Sequence, residues 1–198
     1  MSCAIGVQSL GTCPDKPVGG AARFVQFYNY PEWRQMVDSG VNVTRVSGGS
    51  TDGLIDDIIN ALGIQAWRFD VPDETALVLG YPERKVDGGI DGFDHQVNMS
   101  ILGTTQDKKN VLLAMAGEGV VAVIYKKNGT GEVYGDQQGL QSVTNTANVN
   151  DPALGAVLPV QLATSPRVAP ETRPPADVFK TDIATTKALI EGLNVVGV

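Results

Sequence analysis

Histidine occurs once in the 198 residues, and cysteine and tryptophan twice each. Catalysis by a Ser–His–Asp or Cys–His system needs an imidazole exposed beside a nucleophile. His95, the single histidine, lies on the apolar side of an alternating stretch, so we expect it buried and hydrogen-bonded. Cys3 and Cys13 sit close together near the start, at a spacing that matches no zinc or redox motif. A disulfide between them is conceivable, but the simpler expectation is two free thiols in a reducing compartment. A transition-metal site would have to be built from carboxylates, and no ligand spacing recommends one. Basic charge is also short: 15 Lys and Arg face 22 Asp and Glu, a net of −7. Tight nucleic-acid binding needs a basic stripe to replace counterions. The longest basic runs are only Lys108-Lys109 and Lys126-Lys127, which read as solvated surface. An acidic surface past which DNA slides without sticking is compatible with this balance. The two longest apolar runs, Val111 to Ala116 and Val120 to Tyr125, are split by Gly117-Glu118-Gly119. They fall short of the ~20 residues of a membrane-spanning helix. No Lys/Arg-led apolar run opens the chain, so a signal peptide is not expected.

What is plentiful is turn chemistry, with 23 glycines and 11 prolines beside a hydrophobic content of 42%. That load favours a β-rich, loop-rich architecture over a helical bundle. A chain of this length buries about two thirds of its unfolded surface and needs no staple to fold. Residues 1–22 read as an irregular arm. Strands are expected at Arg23 to Tyr30, Val41 to Val46, Gln65 to Val71 and Ala76 to Leu79, and a short helix from Pro31 to Met36. Leu54, Ile55, Ile58, Ile59 and Leu62 share one face at helical spacing, with Gly63 as a stop. Helix is therefore favoured over 54–62, although isoleucine is also a strong strand residue. Residues 80–92 read as a long glycine-rich loop. Phe93 to Ile101 alternates cleanly and reads as one half-buried strand. Asp107 to Ala116 reads as an amphipathic helix. Val120 to Tyr125 is a near-continuous apolar strand that turns at Asn128-Gly129-Thr130-Gly131 and returns through Glu132 to Tyr134. Further strand candidates begin at Ser142. Five prolines from Pro159 to Pro175 make an extended linker before a weakly helical segment, Asp177 to Leu193. The expected domains are thus a β-rich unit over 1–158 with its N-terminal arm, and a Pro-rich C-terminal arm with a short terminal segment over 159–198.

Candidate chemistry is sparse. Gly48-Gly49-Ser50-Thr51-Asp52-Gly53 invites comparison with a phosphate loop, because backbone N–H groups at a helix start attract anions. It lacks the Gly-Lys-Ser/Thr ending and any G-x-G-x-x-G fingerprint, so it reads as a connecting loop. Asp56-Asp57, Asp70 and Asp73-Glu74 could pair as acid and base, but read as solvated turn residues. Trp67, Tyr28, Tyr30 and Trp33 could supply stacking surfaces for a carbohydrate or small ligand, though packing explains them more simply. No catalytic, cofactor-binding or metal residue is therefore assigned, no cofactor is expected, and the chain is read as a non-enzyme.

One ordered block stands out. It runs A-W-R-F-D-V-P-D-E-T from Ala66, then F-D-H-Q-V-N-M-S-I-L, then a Leu- and Lys-rich helix. It ends in G-E-G-V-V-A-V-I-Y-K-K-N-G-T-G-E-V-Y-G-D-Q-Q-G-L. The block resembles structural proteins of tailed bacteriophages, in particular the tail tube family. There a strand, a helix starting D-K-K-x-x-L-L and a V-V-A-x-I hairpin ending Y-G-x-x-x-G-L recur in that order. It runs from Trp67 to Leu140. The resemblance implies a mainly β, antiparallel sandwich- or barrel-like subunit of the α+β kind with one flanking α-helix. It further implies a homo-oligomer of stacked six-fold rings in a virion tail, assembled in the host cytoplasm. Other tail and connector proteins would be its partners, and DNA only a passing cargo, with no membrane. A tail terminator, a head–tail connector and a small-ligand-binding β domain are the alternatives.

Overall fold

The computed structural model describes Ala21 and residues 24–48, 52–71, 77–86, 89–102, 117–144, 157–165 and 169–194. The protein is mainly β with a mostly antiparallel sheet. In chain order the elements are β1 (Phe24–Asn29), α1 (Tyr30–Asp38), β2 (Val43–Arg45), β3 (Ile55–Ile58), β4 (Trp67–Asp70), β5 (Leu77–Gly80), β6 (Glu83–Val86) and β7 (Gly89–Phe93). They continue as β8 (Gln96–Leu102), β9 (Val120–Tyr125), β10 (Gly131–Tyr134), β11 (Leu140–Thr144), β12 (Val157–Thr164), β13 (Ala176–Val178) and α2 (Ile183–Gly192).

Eleven strands join one sheet, and its long path runs β2-β3-β13-β10-β9-β11-β12-β8-β5. β1 pairs with β9 on one side and with β4 on the other. The pair β13–β3 is parallel, at Val178 opposite Ile55. β6 and β7 form a separate two-stranded ribbon.

The sequence Val-Val-Ala-Val-Ile-Tyr of β9 is apolar throughout because both faces of the strand are buried. Successive side chains point to opposite faces. Val120, Ala122 and Ile124 enter one core with Phe27, Phe69, Leu77, Met99 and Leu162. Because that core joins β1 and β4 to β5, β8 and β12, the sheet curls back on itself. Val121, Val123 and Tyr125 enter a second core with Tyr28, Trp33, Met36, Ile55, Val178 and Ile190. The two helices cover this second face. α1 begins with a proline in its first turn and buries Trp33 and Met36, three positions apart. α2 is capped by Asp182, whose carboxylate accepts from the Thr185 N–H at 2.8 Å.

Residues 54–62 correct the helical expectation. β3 lies between β2 and β13 in the sheet, with Ile55 and Ile58 buried. Ile59 and Leu62, which a helix would have turned inward, are 52% and 83% exposed. Ladder partners on both sides outweigh a periodicity that suits a helix, and β-branched side chains fit the pleat. Residues 80–92 are also not a loop, since β6 and β7 pair from Glu83–Phe93 to Val86–Gly89. The expected single strand from Phe93 breaks at Asp94 and His95, between β7 and β8. The expected boundary at 158/159 falls inside β12. Pro159 pairs with Ser100 of β8 but lies past Gln161, where the ladder to β11 ends. With one side of β12 open among the described residues, a residue without an N–H is tolerated. The helix expected at 107–116 lies outside the described residues, and α2 is the described helix resting on the β9–β10 hairpin.

Candidate functional site

The turn between β10 and β11, Gly135 to Gly139, is the hub of the polar structure. Both of its end glycines need left-handed backbone, with φ of +76° and +73°. A Cβ on Gly139 would also lie 2.9 Å from the Tyr30 ring. Five side chains from four separate parts of the chain reach in to hold this turn. The Trp33 indole N–H of α1 donates to the Asp136 carboxylate at 2.8 Å. Arg45 of β2 donates to both oxygens of the same carboxylate, at 2.7 and 2.8 Å. The Tyr30 hydroxyl donates to the Gln137 carbonyl. From the 169–175 segment, the Glu171 carboxylate accepts the Gln137 and Gln138 N–H groups, both at 2.9 Å. From the opposite side, His95 Nδ1 accepts the Gly135 N–H at 3.0 Å.

His95 is fully buried, and its Nε2 lies 3.0 Å from the Arg173 carbonyl. One ring nitrogen accepts and the other faces an acceptor, which selects the neutral Nε2–H tautomer. Burial lowers its pKa below the usual 6.5, against the bond to Arg173 and the carboxylates of Asp136, Asp94 and Glu132. Glu171 is buried too, and burial pushes its carboxyl up to about 7, against the pull of its two N–H donors.

Beside the hub lies an open cleft of about 340 Å³, bordered by Arg45, Asp52, His95, Glu171, Arg173 and Asp177. Of its polar groups, Asp52 accepts the Gly48 N–H, and His95 and Glu171 accept those of the turn. Arg45 is spent on Asp136 and on the Gly53 carbonyl at 3.2 Å. Among the described residues no group of three or more His, Cys, Asp or Glu is placed to hold a metal ion.

The other residues weighed from the sequence are scattered. Asp56 accepts from the Thr44 hydroxyl at 2.6 Å, Asp57 from Lys180 at 2.6 Å, and Asp70 pairs with Arg68. Lys126 is bound to Glu132 at 2.6 Å, while Lys127 is exposed. Tyr28 and Trp33 are fully buried and Trp67 packs against the first core, so these rings form no shared stacking surface. Tyr30 is half-buried against the turn. Cys3, Cys13, Gly49 to Thr51, Asp73-Glu74 and Lys108-Lys109 lie outside the described residues. Sequence reasoning missed Glu171, Asp136 and Arg45. The one signal for them was the glycine-bracketed run Gly135-Asp136-Gln137-Gln138-Gly139.

Comparison with protein-family models, with curated proteins and with solved structures finds no match to this chain.

Proposed function

We propose that the chain is a virion structural subunit, a tail tube protein that assembles into stacked rings around a DNA-conducting channel. The observation that carries this reading is the state of the sheet edges. The long path of the sheet ends at β2 and at β5, the branch through β1 ends at β4, and none of the three has a second neighbour among the described residues. Monomeric proteins normally protect such edges, whereas an assembly protein uses them to pair with the next copy. A heterologous contact of one edge with the other closes into a ring when the rotation fits. The resemblance of the Trp67 to Leu140 block to tube proteins supports the same reading. So does the hub, whose buried polar groups brace backbone and leave no nucleophile–base pair among the described residues. The net charge of −7 suits a lumen that DNA must cross without adhering. Partners are then further copies of the chain and other tail and connector proteins. The chain has no catalytic role and binds no cofactor.

Size measurement and negative-stain imaging of the concentrated protein test this. Rings or tubes are expected. A particle that stays at the 20.9 kDa monomer mass at every concentration refutes the reading.

A further inference from the structure

Residues 169–175 form a strap that joins three parts of the molecule. Backbone bonds tie it to the end of β7, from Phe93 N–H to the Glu171 carbonyl at 2.8 Å and back at 3.0 Å. The Glu171 carboxylate and the Thr172 N–H, which reaches the Gln137 side chain at 2.8 Å, tie it to the 135–139 turn. His95 bridges the two by holding the Arg173 carbonyl with one nitrogen and the Gly135 N–H with the other.

We propose that His95 is the trigger of a proton-operated latch, and that its protonation frees the strap from the turn. The proposal goes beyond the assembly reading and is independent of it. A proton added to the ring goes to Nδ1, the nitrogen that accepts from Gly135. Two N–H groups then face each other at a 3.0 Å separation, and the attraction becomes a repulsion. The carboxylates that act on the ring are already engaged. The carboxylates facing it are Asp94 on its own segment, Glu132 on β10 and Asp136 in the turn. Each already holds a cation: Arg84 on Asp94, Lys126 on Glu132 and Arg45 on Asp136. The cleft adds Asp52, Glu171 and Asp177 with Arg173, while Arg45 is already spent on Asp136. The Tyr134 ring packs edge-on at 5.7 Å and offers no charge. Opening the turn is the way for the imidazolium to reach water. The strap keeps its backbone bonds to Phe93, so it departs with the β6–β7 ribbon as one unit.

The sign follows from linkage. A histidine held neutral in the closed state contributes stability above pH 6.5 that is lost as pH falls below it. The chain has one histidine, so its ring signals in NMR are unambiguous. At pH 7.5 the ring should report the Nε2–H tautomer. The raised Glu171 carboxyl releases a proton when the strap leaves and opposes this slope in the wild type, so the test is made in E171Q. Below pH 6.5 its Gly135, Gln137, Gln138 and Thr172 amides should open about tenfold more per pH unit, as one-proton linkage requires. The Val121 and Val123 amides of β9 should keep their protection. Adding H95Q, whose amide can accept and donate without titrating, should remove that pH dependence in the H95Q/E171Q double variant. Should the double variant fail to fold, E171Q decides alone, because ring titration and amide opening must share one midpoint. The latch is overturned by an Nδ1–H tautomer, by ring titration without amide opening in E171Q, or by β9 amides opening in the same step. A pH profile in H95Q/E171Q unchanged from that of E171Q overturns it as well.

Discussion

A buried carboxyl and a buried imidazole grip the same five-residue turn, and burial drives their titrations in opposite directions. Glu171 binds its proton more tightly in the folded state, with its pKa raised from 4.5 to about 7. Its contribution to stability is complete below pH 4.5 and lost as pH rises through 7. At ~1.4 kcal/mol per pH unit the loss amounts to about 3 kcal/mol. Glutamine imitates the protonated acid, so E171Q should gain on the wild type in thermal denaturation as pH rises from 5 to 8. Taking the difference between the two proteins cancels the His95 contribution. A difference that stays flat, or moves the other way, refutes this placement of Glu171. Asp136 carries a complementary expectation. D136A leaves the Trp33 N–H and the Arg45 guanidinium without their acceptor and should cost about 2–4 kcal/mol in urea denaturation. A loss below 1 kcal/mol would show that Asp136 is not the pin of this turn. Little of this hub was legible beforehand. The glycines at 135 and 139 mark a turn, but Trp33 and Arg45 reach Asp136 across 103 and 91 positions. Glu171 comes from 33 positions beyond its nearer partner. No local spacing links residues so far apart.

Among the elements, the β9–β10 hairpin shows why a residue can be small without being a turn residue. Gly131 opens β10, and a Cβ there would lie 2.4 Å from Ile190 Cδ1 and 3.1 Å from the Val178 side chain. The glycine thus gives α2 its close seat on the sheet. G131A should cost about 1–3 kcal/mol by overpacking. I190A should cost about 2–4 kcal/mol by leaving a cavity. If both act through the same contact, the double variant should lose at least 1 kcal/mol less than the sum, since contacting sites couple. Simple additivity in urea denaturation would mean that α2 does not sit against Gly131. The hairpin itself was readable, because a continuous apolar run and an Asn-Gly turn are local signals. Residues 54–62 were not, because their helical spacing is cancelled only by β2 and β13, one of them more than a hundred residues away. The ribbon at 83–93 escaped for a related reason. Its glycines looked like loop punctuation, yet Gly92 makes room for Pro170 and Glu171, which would lie 2.7 and 2.5 Å from its Cβ.

At the scale of the whole molecule, the open ends of the sheet decide what the fold is suited to do. Val78 on β5 is 58% exposed, and Val41, just before β2, is 68% exposed. Large apolar side chains beside unpaired strands favour pairing between copies, and a lysine there is the usual natural block. The β2 and β5 edges differ, so joining one to the other makes a head-to-tail contact, the kind that closes into rings. V78K and V41K each place a charge on an exposed position and touch neither core. Each should leave monomer stability within about 0.5 kcal/mol of the wild type. In sedimentation at concentrations where the wild type forms rings, each variant should remain monomeric. Equal parts of the two variants should not restore closed rings, because every V78K–V41K ring would still contain blocked edges. If either variant assembles like the wild type, that edge is not the ring interface, although the subunit reading survives. Failure of the wild type itself to assemble would remove the subunit reading. The two failures are therefore separable in one sedimentation series.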